Sequence, residues 1–346
     1  MIKTSRLLFL GLAVLALTGS AGAEAYGTTA APLAAELVSD AQPIDLTSAR
    51  YQKLFNDLKT EHHFSQTEID RFFSGVNIRK RVLELMDRQW EAKPYHLYYP
   101  LFITTAVIEE GRDKLRQYRD LLDRIEQELG VEREIVVAIW GIESRYGRNE
   151  GAFNVFQTLN TLFEAYPRRR DFARRQLIEF LLLCRENKID PLTVKGSYAG
   201  AFGQTQFIPS SFREYAVNFD RDDRKDVWHS IPDILASIAN YLRRYRWTLG
   251  APIYCELGSE LRDDRLLQAY DKGRKGYIPW QVVKKAQQVE MVPPPDNKDL
   301  TVVGLELADG GMRYVAGYPN FQAITAWNHS NRYAMVVTEL AEAFKK

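Results

Sequence analysis

The stretch Ile135-Val136-Val137-Ala138-Ile139-Trp140-Gly141-Ile142-Glu143-Ser144-Arg145-Tyr146-Gly147 decides how this chain is read. Apolar residues cover nearly every face of a helix drawn over it, so the pattern predicts a buried helix from about Glu134 to Tyr146. Glu143 falls at the C-terminal end of that helix. Apolar surroundings and the negative potential of a helix C-terminus both favour the protonated carboxyl and raise its pKa. A raised pKa suits a general acid working near neutral pH. The alternative is a structural ion pair, but Arg145 lies two residues on and points to another face. Glutamate is almost never buried without a reason, so Glu143 is the candidate catalytic acid/base.

A second chemical stretch follows, Gly196-Ser197-Tyr198-Ala199-Gly200-Ala201-Phe202-Gly203-Gln204-Thr205-Gln206-Phe207-Ile208-Pro209-Ser210-Ser211. Glycines and small residues let a ligand approach the backbone. Gln and Ser offer neutral hydrogen bonds, and Tyr and Phe offer faces for sugar rings. The stretch is not a phosphate loop, because it lacks both G-K-[ST] and G-x-G-x-x-G.

Around these stretches the periodicity is mainly helical. Ser65 and Glu68 form a capping box with Phe64 and Ile69 placed as its hydrophobic staple. Leu115, Tyr118, Leu122, Ile125 and Leu129 fit one helix stopped by Gly130. Further helices are expected over 170–187, 209–217, 231–247 and about 320–344. After Gly250 the chain turns to short β-like pieces, with a strand at 301–307 and a hairpin turn at Asp309-Gly310. The expected class is α+β, mainly α, with a small β lobe inserted late.

The ends and the composition bound the rest. Lys3, Arg6, the apolar run Leu7 to Leu17 and Ala21-Gly22-Ala23 make residues 1–23 a secretory signal peptide. Ser20 stands where a lipoprotein site needs an acylated Cys, so no lipid anchor is expected. Residues 24–45, rich in Ala, Thr and Pro, read as a loose linker. The domains are then 46–130, an N-terminal helical part; 131–249, the catalytic core; 250–318, the β lobe; and 319–346, a closing helical segment. With 46 Lys and Arg against 45 Asp and Glu, bulk charge gives no case for nucleic acid. Cys184 and Cys255 are the only cysteines; an oxidising compartment permits their pairing, and a buried free Cys184 fits equally. They cannot complete a zinc site.

Five stretches in this order resemble the lytic murein transglycosylase B family: Gly141 to Gly147, Tyr166-Pro167-Arg168-Arg169, Gly196 to Ser211, Ala239-Asn240-Tyr241, and Ile324-Thr325-Ala326-Trp327-Asn328-His329-Ser330. The resemblance runs from roughly residue 50 to the end. It implies a lysozyme-like helical core and cleavage of the β-1,4 bond from N-acetylmuramic acid to N-acetylglucosamine in peptidoglycan. The muramic C6 hydroxyl is the acceptor, leaving a 1,6-anhydro end, and Glu143 serves as acid and then base. One carboxylate then suffices, whereas a hydrolase of the usual kind needs a pair. By the same resemblance Ser197 lies near the reacting sugar; Gln206, Phe207, Tyr241, Asn328 and Tyr333 line the groove; and Arg168 and Arg169 contact the substrate. Trp327 stands where the family leads one to expect Tyr. The enzyme would work in the periplasm on glycan strands, alongside cell-wall synthesis proteins. The alternatives are a hydrolytic muramidase and a non-catalytic peptidoglycan-binding protein.

The resemblance also implies a calcium loop at Asn218, Asp220, Asp222, Arg224 and Asp226, with Asp233 as a late carboxylate. No cofactor is required for the chemistry, and calcium here would be structural, since the loop is not part of the catalytic helix. Oxygen donors do recur at alternate positions. The copy is degenerate, with Asp223 where Gly makes the sharp turn and His229 in place of a bidentate Glu. A loop that pairs its own charges is the competing reading.

Overall fold

The computed structural model describes residues 33–87 and 93–346. The signal peptide and the first part of the linker lie outside them. The predicted buried helix forms over Arg133–Ser144, and every residue from Ile135 to Ser144 is buried. It is the axis of the molecule. The Thr105–Gln117 and Ile231–Arg244 helices pack against it, as does the last helix, Asn331–Phe344. Gly141 is required there: a Cβ at this position would come within 2.8 Å of the Tyr146 ring, which folds back onto the helix. Val155–Ala165 and Arg170–Glu186 pair as a second helical layer.

Local signals act as their chemistry dictates. Ser65 and Glu68 form the capping box of the Gln66–Phe73 helix. Gly130 adopts φ +68° and ends the Arg119–Leu129 helix. Two expected long helices are each broken in two. The 115–129 pattern divides at Tyr118, between Thr105–Gln117 and Arg119–Leu129. The 320–344 segment divides at His329, which is left-handed at φ 52°, between Pro319–Asn328 and Asn331–Phe344. Periodicity alone carries apolar residues across such a break because both helices bury a face.

The later part of the presumed linker is packed rather than loose. Ala34–Leu37 is a 3-10 turn, Ala35 and Ile44 enter the core, and Ile78 N–H donates to Gln42 O at 2.8 Å.

Among the described residues there are two small sheets. β1 (Phe153–Asn154) and β2 (Lys195–Gly196) form a short antiparallel ribbon beneath the Gly196 loop. The lobe sheet contains β3 (Tyr254–Gly258), β4 (Tyr277–Ile278), β5 (Leu300–Glu306) and β6 (Met312–Gly317) in the antiparallel order β3-β6-β5-β4. The predicted hairpin turns at Gly310, with φ +83°. Leu300 and Val302 join a separate apolar core inside the lobe, while Val303 and Leu305 join the main core. The strand period of two thus buries both faces. The lobe also holds two helices, Asp264–Asp271 and Trp280–Gln287, which the turn-rich sequence concealed. Cys184 is buried in the helical core and Cys255 lies on β3; both thiols are free.

Candidate active site

The Arg133–Ser144 helix ends in a sharp reversal. Arg145 and Tyr146 both take positive φ, 50° and 57°, and the Tyr146 hydroxyl donates to Val107 O at 2.9 Å. Non-glycine residues in this region are strained, and such strain concentrates at functional sites. It leaves Glu143 facing a cleft of about 350 Å³ between the helical core and the Pro319–Asn328 helix.

Glu143 is only 3% exposed. Two donors meet on one of its oxygens: Trp327 Nε1–H reaches Oε1 at 2.9 Å, and the Tyr333 hydroxyl reaches the same atom at 2.5 Å. Burial pushes the pKa up to about 8, against the pull of the two hydrogen bonds, which favour the carboxylate. Burial, and then the neighbouring Glu143, hold the Tyr333 phenol well above its ordinary value, so it donates without ionising. With Oε1 engaged as the acceptor, the carboxyl proton belongs on Oε2.

The cleft wall is aromatic. Phe207 and Tyr241 flank Trp327, with ring centroids at 5.1 and 4.6 Å, and Tyr245 stacks on Tyr241 at 4.7 Å. Tyr241 is fixed by its hydroxyl bond to Ala326 O at 2.8 Å. The Gly196 loop is held against the Glu143 helix by Gln204, which accepts from Trp140 Nε1–H at 2.9 Å and donates to Trp228 O at 2.7 Å. Gln206, at φ 50°, donates to Glu150 O and Gly203 O, and its buried Oε1 has no partner.

The structure brings most of the expected residues together. Glu143, Gln206, Phe207, Tyr241, Trp327 and Asn328 line the cleft, with Tyr333 behind Glu143. Ser197 does not reach it: the side chain is fully buried and its Oγ accepts from the Ala199 and Ala201 N–H groups of its own loop. Arg168 and Arg169, on the Pro167–Arg169 turn, also lie outside the lining; Arg169 sits over Phe172 at 5.5 Å. Phe172, Arg175, Glu214, Tyr215, Tyr245 and His329 line the cleft but were not foreseen. Tyr245 carried a signal, being one helical turn beyond Tyr241, and His329 lay within the quoted stretch Ile324 to Ser330. Glu214 is the one other carboxylate among the described lining residues. Its side chain is 55% exposed, with Arg244 at 4.0 Å.

The presumed calcium loop is braced by its own hydrogen bonds, while the buried Asn218 Oδ1 at its first position has no partner. Asp233 is fully buried and spends both oxygens on the backbone, accepting from Phe219 N and Asp220 N through Oδ1 and from Asp226 N through Oδ2. Asp226 accepts from Trp228 N and His229 N, and Arg224 turns its guanidinium to Asp226 at 3.3 Å. Asp220 and Asp222 cap N–H groups within the loop, and Asn218 donates to Asp222 O. Among the described residues no cluster of three or more His, Cys, Asp or Glu is arranged to hold a metal.

Comparison with known proteins places this geometry in a family. The Transglycosylase SLT domain matches residues 47–342. The membrane-bound lytic murein transglycosylase B of Escherichia coli is 32% identical over 302 residues, covering 84% of this chain and 81% of that protein. The E. coli lytic transglycosylase Slt35 in complex with calcium superposes with a TM-score of 0.77 at 31% identity, over 88% of this chain and 95% of that one. Pseudomonas aeruginosa SltB3 in complex with NAG-anhNAM-pentapeptide gives 0.71 at 30%, over 86% and 79%. These matches bear out the lysozyme-like, mainly helical fold, and this chain belongs to the lytic murein transglycosylases that carry the Transglycosylase SLT domain.

Proposed function

We propose that this protein cleaves the β-1,4 bond between N-acetylmuramic acid and N-acetylglucosamine in peptidoglycan without water as acceptor. One observation carries the proposal: a single carboxyl, Glu143, is buried against the cleft with a pKa near 8 and its Oε1 fixed by two donors. Protonated on Oε2, Glu143 gives its proton to the glycosidic oxygen as the bond to the muramic C1 breaks. The resulting carboxylate then takes the proton of the muramic C6 hydroxyl, whose oxygen closes onto C1. The proton returns to Glu143 and no water is consumed. Phe207, Tyr241 and Trp327 supply the stacking surface, and Gln206 and Asn328 supply neutral polar groups.

The setting follows from the chemistry. Peptidoglycan lies outside the inner membrane, which agrees with the signal-like residues 1–23 and a periplasmic enzyme. Among the described residues no helix is long and apolar enough to cross a membrane. We take the lobe as 250–318, supported by its own apolar core. The loop around Asp233 is held by its own bonds, with Asp233 engaged by the backbone and Asp226 by Arg224, so any calcium there would have a structural role and none in the chemistry. Mass spectrometry of fragments released from purified cell walls tests the activity. Fragments ending in 1,6-anhydromuramic acid are expected, and reducing ends alone would show a hydrolase.

A further inference from the structure

A second cavity, of about 320 Å³, opens where the β lobe meets the helical core. It adjoins the Glu143 cleft, and Tyr245, Ala326 and His329 belong to both. Three cations converge on it from three separate segments. Arg246 follows the Ile231–Arg244 helix, Arg274 sits on the Gly273–Lys275 turn, and Lys298 lies two residues before β5. Among the described residues lining this cavity none carries a carboxylate. Among the described residues none of the three forms an ion pair, although other arginines at the same lobe junction are neutralised. Arg313 is clamped by Glu256 and Glu339, and Arg332 by Glu306.

Three like charges gathered without a counter-charge repel one another and create a local positive potential. Arg274 also acts at the boundary between the two cavities, where, after burial, it lowers the pKa of the His329 imidazole. Thr301, Gln322 and Asn331 add neutral hydrogen-bonding groups, and Tyr277, 58% exposed, adds an aromatic face at the rim. Cations with neutral polar groups and a ring suit a flexible chain bearing carboxylates better than a bare sugar, which carries no charge to meet them.

The geometry points to this groove as a binding site for an acidic peptide: the stem carried by the muramic acid of the strand in the neighbouring cleft. The inference rests on the transglycosylase reading, because it takes that strand as the occupant of the cleft. Arg246, Arg274 and Lys298 would pair with stem carboxylates while the glycan lies along Trp327 and Tyr241. The groove would then favour strands that still bear peptides over strands already stripped of them.

The test compares wild type with the Arg246→Ala/Arg274→Ala/Lys298→Ala variant on stem-bearing peptidoglycan and on strands denuded by an amidase. The variant should lose about tenfold in kcat/KM on stem-bearing strands, as expected for lost charge-assisted contacts. Its rate on denuded strands should match wild type, which also reports that it folds. Equal losses on both substrates, or no loss on either, overturn the assignment. Calorimetry with the free acidic stem peptide gives a readout independent of cleavage. Wild type should bind it, and the triple variant should bind at least about tenfold more weakly. Failure of wild type to bind the peptide overturns the groove site. Binding of the peptide by a wild type that cleaves neither polymer would keep the groove and remove the transglycosylase reading.

Discussion

Trp327 donates its indole N–H to Glu143 Oε1 at 2.9 Å across 184 residues of chain. Tyr333 donates its hydroxyl to the same oxygen. Two donors on one oxygen hold the carboxyl in a single orientation and direct its proton to the other oxygen. The cost of burying Glu143 in an apolar helix is thus turned into acid strength suited to neutral pH.

Glu143→Gln should reduce cleavage by on the order of 10²–10⁴-fold, the usual contribution of positioned proton transfer. Gln keeps the shape and can still accept from Trp327 and Tyr333, so glycan binding should persist. Glu214→Gln should retain most activity, since Glu214 is half exposed and sits beside Arg244. Release rates of anhydro-muropeptides decide both. Losses of similar size in the two variants would point to a carboxylate pair and a hydrolytic mechanism.

Trp327→Phe and Tyr333→Phe should move the alkaline limb of the pH–rate profile upward. Each donor favours the carboxylate, so removing one raises the Glu143 pKa above about 8. The acid then remains protonated to higher pH, and Tyr333, the stronger influence of the two, should give the larger shift. Activity near neutral pH should also fall, because the carboxyl loses its fixed orientation. A limb that stays in place or moves down would contradict this account of the site.

Stability should carry the signature of the same buried group. Below the ordinary pKa of 4.5 the carboxyl is neutral in folded and unfolded chains alike and costs nothing. Between 4.5 and about 8 the unfolded chain ionises it while the fold keeps the proton, so stability falls as pH rises; above about 8 the penalty levels off. The full effect is on the order of 3–5 kcal/mol. Melting curves of Glu143→Gln against wild type should show an advantage for the variant that grows across this window. A difference independent of pH would mean that Glu143 is not held protonated.

The loop at 218–233 should be indifferent to calcium. Neither the ion nor a chelator should shift Tm, because the carboxylates already serve Phe219, Asp220, Asp226 and their neighbours. Asp233→Ala should lower stability by about 2–3 kcal/mol through orphaned backbone donors. Calorimetry with and without the ion checks this, and a calcium-dependent rise in Tm that Asp222→Ala abolishes would restore the ion to the loop.

Much of this was legible in the sequence because it depends on local chemistry. An apolar run around one carboxylate announces a buried acid wherever the helix goes, and the burial of Glu143 follows from its immediate neighbours. The Ser65 and Glu68 cap, the Gly130 stop and the Gly310 hairpin were fixed in the same way, by residues within a few positions of one another. Ser197 shows the limit. Its small polar side chain fitted a sugar contact, but the loop turned it inward to satisfy its own amides.

By itself, then, the sequence determined that Glu143 is an acid in an apolar helix, that the chain is mainly helical with a late β lobe, and which short turns punctuate it. Only the tertiary structure decided what surrounds that acid. On one continuous helix Trp327 and Tyr333 would point roughly 120° apart. The left-handed turn at His329 breaks the helix between them and lets both reach one oxygen. Arg246, Arg274 and Lys298 likewise share no motif and meet only where the lobe closes on the core. Local spacing encodes helices and turns because those need only near neighbours; a site built from distant segments exists only once the core has been packed.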